Sequence, residues 1–297
     1  MTLKDILVCL DPTEAGGNRL HFAAGLARHH HAQLTGAYLA PPDLEGAAPF
    51  DGLGITAPSG AAEVAEGALV AGIPAPAVPP SHLGRGDHLA GIVEERFRAA
   101  LAPHGAADGW HVFAPGDSGD FVSFASTFDL IVYGQALPDY RVASGFAPSD
   151  ILTGCGRPLL MVPYAGQFAE IGRRVLVAWD GTREAARAVH DALPLMHGAE
   201  AVSVMLVRAG EDDFERDRPS LDRITHHLQR HGLPAKAEET LRGDLPVSDV
   251  LLSRAADRSV DLIVAGAYHH APWREALLGG VSRDLLAHMT VPVLMSH

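Results

Sequence analysis

Short apolar runs rich in β-branched residues recur along the chain, and stretches with apolar positions three and four apart lie between them. In the first part, residues 3–10, 33–39, 110–114, 129–133 and 158–162 read as strands, and 18–30, 87–101 and 118–126 as helices. In the second, strands are predicted at 175–179, 201–207, 235–240, 261–265 and 291–295. Helices are predicted at 182–196, 221–231, 245–257 with Pro246 in the first turn, and 283–288. The strands are continuously apolar rather than alternating, the pattern of strands covered on both faces. Strand and helix in alternation therefore predict a parallel, doubly wound α/β sheet with helices on both sides.

Residues 40–80 break the alternation. They hold Pro41, Pro42, Pro49, Pro58, Pro74, Pro76, Pro79 and Pro80 among many Gly and Ala, so little regular structure is expected beyond a short helix at 61–69. The stretch reads as an insertion, either a lid over the carboxyl edge of the sheet or a mobile loop. Residues 164–172 read as a linker.

The chain repeats itself. KDILVCLDPT (4–13) matches RRVLVAWDGT (173–182), FDLIVYGQA (128–136) matches VDLIVAGAY (260–268), and GRPLLMVP (156–163) resembles TVPVLMSH (290–297). Three matches in one order and at similar spacing indicate a duplication. Two domains are expected, at 1–163 and 173–297.

Composition narrows the function classes. A hydrophobic content of 47% in 297 residues suffices for two cores. The net charge of −13 argues against nucleic-acid or anionic-membrane partners. No apolar run approaches the ~20 residues that span a bilayer. The N-terminus MTLKDILVCLDP lacks a signal-peptide core, and Cys9 and Cys155 have no metal or redox spacing, so a reducing, cytoplasmic setting with two unpaired thiols is expected.

Candidate chemistry concentrates in the last 37 residues, DLIVAGAYHHAPWREALLGGVSRDLLAHMTVPVLMSH. A buried strand ends at Gly266, and Gly279-Gly280-Val281-Ser282 precedes a helix. Unobstructed backbone N–H groups at a helix N-terminus favour an anion. Upstream, the strand 175–179 ends at Asp180, which the parallel sheet brings to the same carboxyl edge. Turn chemistry alone also accounts for these glycines.

With these motifs the chain resembles the universal stress protein family in its tandem, two-domain form. The resemblance implies two five-stranded parallel-sheet domains of the adenine nucleotide alpha hydrolase-like kind. They would pair through their last strands, 159–162 against 293–295, as an internal pseudo-twofold dimer, and it leaves open a further homodimer. Nucleotide-binding members carry an acid after strand one and Gly-x2-Gly-x9-Gly-Ser/Thr after strand four. Asp180, Gly266 and Gly279 match; His269 stands at the second glycine and Gly280 at the hydroxyl position, with Ser282 two residues on. The implied ligand residues are Asp180, Val207, Gly266, His269, Gly279, Gly280, Val281 and Ser282. The implied ligand is ATP or another adenine nucleotide, with no metal beyond a nucleotide-bound Mg. In the first half Asp11 and Gly134 match, but Gln135-Ala136-Leu137 supplies no second glycine, and Phe146 and Pro148 crowd the cradle position. The first domain is therefore expected to be a scaffold. The function implied is a non-enzymatic, ligand-regulated stress protein with an unidentified protein partner. The alternatives are an interaction module that binds no nucleotide, and slow ATP hydrolysis.

Other patterns add little. The 17 histidines, among them His29-His30-His31, His226-His227 and His269-His270, make no metal motif with a carboxylate and read as exposed surface. No G-x-S-x-G elbow or P-loop is present. Arg274 and Arg283 flank the cradle, and Trp179 reads as a core residue.

Overall fold

The computed structural model describes residues 2–40, 85–102, 109–114, 116–136, 146–208, 210, 214–267 and 280–297. The first half runs β1 (Asp5–Leu10), α1 (Glu14–His30), β2 (Gln33–Leu39), α2 (Arg85–Leu101), β3 (Trp110–Phe113), α3 (Ser118–Ala125), β4 (Leu130–Gly134), α4 (Pro148–Cys155) and β5 (Leu159–Val162). The second runs β6 (Arg174–Ala178), α5 (Arg183–Met196), β7 (Ala201–Arg208), α6 (Phe214–Arg230), β8 (Ala235–Leu241), α7 (Val247–Asp257), β9 (Leu262–Gly266), α8 (Gly280–His288) and β10 (Val293–Ser296). Most of the insertion, with its expected helix at 61–69, and the loop 268–279 lie outside the described residues.

Matching side chains start both halves. Asp129 accepts hydrogen bonds from the N–H groups of Lys4 (2.7 Å) and Asp5 (3.1 Å), and Asp261 from those of Gly172, Arg173 and Arg174 at 2.7–3.1 Å. At the other end of the first strand, Asp11 and Asp180 each accept from a threonine two residues on. The hydroxyls of Thr13 and Thr182 then cap α1 and α5 by accepting from Gly16 N–H (3.0 Å) and Ala185 N–H (3.1 Å). Thr13 explains why α1 begins at Glu14 rather than at residue 18. Gly16 and Gly17 suggest a turn, but a Cβ at Gly16 would overlap Asp11's carbonyl oxygen, so glycine there serves close packing. Helix α6 also starts early, at Phe214, because its first turns carry too few apolar residues to show a period.

All ten strands form one sheet in the order β3-β2-β1-β4-β5-β10-β9-β6-β7-β8. Neighbours are parallel except β5 and β10, which pair antiparallel with Val293 opposite Met161, Leu294 opposite Leu160 and Met295 opposite Leu159. The order reads alike from either edge, so the halves are related by a pseudo-twofold axis between β5 and β10. Alternate strand residues feed two cores. Ile6, Val8, Leu176's neighbours Val175 and Val177, and Val264 pack under α1, α2, α5 and α6; Leu7, Ile131, Leu176 and Ile263 pack under α3, α4, α7 and α8. Both cysteines are buried and unpaired, and burial pushes the Cys9 thiol up to about 12.

The halves are also joined by a polar contact. Buried Gln135, just after β4, donates to the carbonyls of Leu286 and Ala287 at the end of α8, both at 3.0 Å, and accepts from Tyr164 N–H at 3.2 Å.

Candidate functional site

In the second half the chain leaves β6 for β7 on one side and, after β8, crosses over to β9 on the other, so the connections diverge at the carboxyl ends of β6 and β9. Such a divergence opens a crevice. Here it is a cavity of about 490 Å³, within the size range of ligand pockets. Its walls are apolar, formed by Met205, Val207, Val247, Leu251, Leu285 and Met295. Asp180, Gly266, Gly280, Val281 and Ser282 also line it.

Six of the eight residues singled out in the sequence therefore surround one cavity. His269 and Gly279 lie outside the described residues, as do Trp273 and Arg274. Asp180 is exposed, and its Oδ1 accepts both the N–H and the hydroxyl of Thr182, at 3.0 and 2.7 Å. These bonds fix the carboxylate at the cavity rim. Gly280, Val281 and Ser282 are not the loop expected before a helix at 283; they form the first turn of α8. Their N–H groups are among the four that a helix leaves without intrahelical partners. Gly280 has open space around its Cα, while Ser282 is buried. Arg283 follows, exposed and 3.8 Å from Asp284.

Gly266 has a role the sequence did not disclose. A Cβ there would overlap the backbone of Glu184 and Ala185, at the start of α5. Glycine is required so that the helix can rest on the end of β9, and a turn needing positive φ is not the reason. Trp179 is buried, donates from Nε1 to Ser220 Oγ at 3.2 Å, and also lines the cavity.

At the same edge of the first half the acid has a cationic partner. Asp11 is ion-paired to Arg19, whose side chain is 6% exposed, and the guanidinium lies against Gly134 where a Cβ would overlap it. In the second half the residue eight after the acid is Ala188. Burial raises the Asp11 carboxyl, but the Arg19 charge and the Thr13 hydrogen bonds outweigh it and hold it below the usual value. Phe146 is fully buried against Phe121, its ring centroid 5.6 Å away, and its carbonyl accepts the Tyr133 hydroxyl at 2.7 Å. Pro148 opens α4, where its missing N–H costs the helix nothing. Arg19 gave no sequence signal, because an arginine on a helix reads as surface until the fold buries it.

Among the described residues, no helix is long and apolar enough to cross a membrane. The fold and the cleft define an α/β domain with a cavity at the carboxyl edge of a parallel sheet, in one half of a twofold-related pair. Residues 172–297 match the model of the universal stress protein family. A universal stress protein from Archaeoglobus fulgidus DSM 4304 has a similar structure, with a TM-score of 0.64 and 15% identity over 98% of this chain and 95% of its own. A functionally unknown protein from Pseudomonas aeruginosa PAO1 gives a TM-score of 0.57 and 14% identity over 99% and 92%. These likenesses establish the fold across both halves. No curated protein matches the chain in sequence.

Proposed function

We propose that the chain is a two-domain stress protein, with domains at 1–163 and 173–297, whose second domain binds an adenine nucleotide as a regulatory ligand. The observation that carries this reading is the contrast between the halves. Asp180, Val207, Gly266, Gly280, Val281 and Ser282 line a single open cavity, whereas in the first half the corresponding acid, Asp11, is ion-paired to the buried Arg19. The donor set suits such a ligand: apolar walls accept a base, Asp180 accepts hydrogen bonds from a ribose or an amine, and the first turn of α8 offers N–H groups to a phosphate. In this reading His269 and Gly279 belong to the ligand set, any Mg arrives with the nucleotide, and binding alters the surface around the cavity. The altered surface is then what a protein partner reads. The first domain is the scaffold that holds α8 through Gln135, and the nucleotide is held rather than turned over.

Native mass spectrometry and calorimetry with ATP, ADP and AMP test the proposal. One nucleotide per chain is expected, with binding lost in Asp180→Ala. Absence of binding at millimolar nucleotide rejects it in favour of an interaction module without a ligand, the reading that His269 and Gly280, at two signature positions, favour.

A further inference from the structure

A second cavity, of about 460 Å³, lies at the opposite edge of the sheet, between the C-terminal ends of α1 and α5. It is of a size that holds small molecules. It belongs to the pair of halves rather than to either one. The capping threonines Thr13 and Thr182 are 169 positions apart, and so are Leu26 and Leu195, and Arg28 and His197. Both of the latter pairs line the cavity, so corresponding parts of α1 and α5 face each other across it.

The linker between the halves closes one side. Gly172, at φ +87°, bends it there, and a Cβ would overlap the Leu195 carbonyl oxygen, so the chain rests directly on the end of α5. Gly25, in the middle of α1, is a different case. Glycine weakens a helix interior relative to alanine, and a Cβ here would come no closer than 4.0 Å to the Ala169 carbonyl oxygen or Arg28 Nη2. An alanine would fit, so packing does not demand the glycine; what it leaves is room in the cavity wall.

The walls are of two kinds. Phe22, Leu26 and Leu195 are buried and present apolar surface. Arg28, His29, His30 and His197 gather beside it, on a chain whose net charge is −13. Glu170 and Arg173 also line the cavity, and Arg173 is ion-paired to Glu200. Basic residues commonly answer the partial negative charge at a helix C-terminus. The last carbonyls of α1 already accept from backbone, however, Ala27 from Ala32 N–H at 2.9 Å and Arg28 from His31 N–H at 3.2 Å. His197 adds an imidazole from the other half. His30 is half-buried, and burial first, then the nearby His29 and His197, hold it below the ordinary histidine value. A bound anion would offset that mutual repulsion and favour the protonated rings.

We infer that this cavity binds a small amphipathic carboxylate, with its apolar body against Phe22, Leu26 and Leu195 and its charge among Arg28, His30 and His197, bridging the two halves away from the nucleotide cavity. Calorimetry on the full chain with octanoate, uncharged octanol and acetate tests it. One octanoate per chain is expected, bound about tenfold or more tighter than octanol, which lacks the charge, or acetate, which lacks the apolar body. Affinity should rise about tenfold from pH 8 to pH 6 as His29, His30 and His197 gain protons, while Arg28, Arg173 and Glu170 keep their charges. In proton NMR the ring signals of those three histidines, assigned by single His→Gln variants, should move with octanoate, and those of His190 and His227 should not. The double variant His30→Gln/His197→Gln should weaken octanoate about tenfold and flatten the pH dependence. Gly25→Leu fills the space with the charges in place, and should abolish binding even if the double variant fails to fold. No octanoate binding at millimolar concentration, octanol or acetate bound as tightly, unmoved signals from the three histidines, or native-like affinity in Gly25→Leu overturns the assignment.

Discussion

Replacing Arg19 by Met tests the pairing of the first-half acid most directly. The side chain keeps its length and loses its charge, so Asp11, 23% exposed at the side chain, is left with only its hydrogen bonds from Thr13. Removing one partner of a buried ion pair costs about 3–5 kcal/mol. Partial exposure of Asp11 and the surviving bonds reduce this, and about 2–3 kcal/mol is expected. At roughly 2–4 °C per kcal/mol for chains of this size, Tm should fall by about 4–12 °C at neutral pH. The pH dependence separates charge from packing. In the native chain the Asp11 carboxyl is held below its usual value, so it contributes stability that is present above the unfolded value near 3.9 and lost as pH falls through the folded one. In Arg19→Met, burial, the largest influence on this carboxyl, is opposed only by the Thr13 hydrogen bonds, and the folded value rises. Protonation then relieves the variant as pH drops towards 4, and the gap to the native chain narrows. The double variant Asp11→Asn/Arg19→Met should recover most of the loss at neutral pH, since it leaves no unpaired carboxylate charge. Thermal melts by circular dichroism between pH 4 and pH 8 read all three. An unchanged Tm in Arg19→Met, or a gap that widens on acidification, would refute the argument.

Two further outcomes follow from single contacts. Gly266→Ala puts a methyl into the backbone at Glu184–Ala185, and a loss of about 1–3 kcal/mol in urea melts is expected; a neutral effect would mean that α5 can lift off β9. Gln135→Ala strips donors from the Leu286 and Ala287 carbonyls and the acceptor from Tyr164 N–H, costing about 1–3 kcal/mol. Amide exchange should accelerate in α8 before it does in α7, and unchanged exchange in α8 would remove Gln135 from the link between the halves.

The sheet was legible because a buried parallel strand leaves a mark that survives divergence. Leu262-Ile263-Val264 and Leu130-Ile131-Val132 are apolar on both faces in both halves, and each is preceded by an aspartate that ties down the chain before the first strand of its half. Helix starts were less legible. Thr13 caps α1 through a side-chain bond that hydrophobic spacing cannot show, and Gly280 and Val281 look like a loop until the helix is seen to begin on them. The candidate site was half legible for a similar reason. Asp180 and the glycines stand at fixed offsets from strands and can be counted out, whereas Arg19 and Gln135 act across elements that the sequence does not place side by side.

That distinction bears on how the halves diverged. A ligand acid such as Asp11 cannot simply be left in a closing cleft, because a desolvated carboxylate without a partner costs several kcal/mol. Arg19 supplies the partner from the helix that the same aspartate helps to start, and its guanidinium takes the space above Gly134. The second half has the buried Ala188 at that position, and the ground above Gly266 is held by the backbone of Glu184 and Ala185 at the start of α5. Pairing the acid of the first half thus needed one cation on a helix already in place, and it disturbs neither β1, α1 nor the strand pairing on which the other half depends.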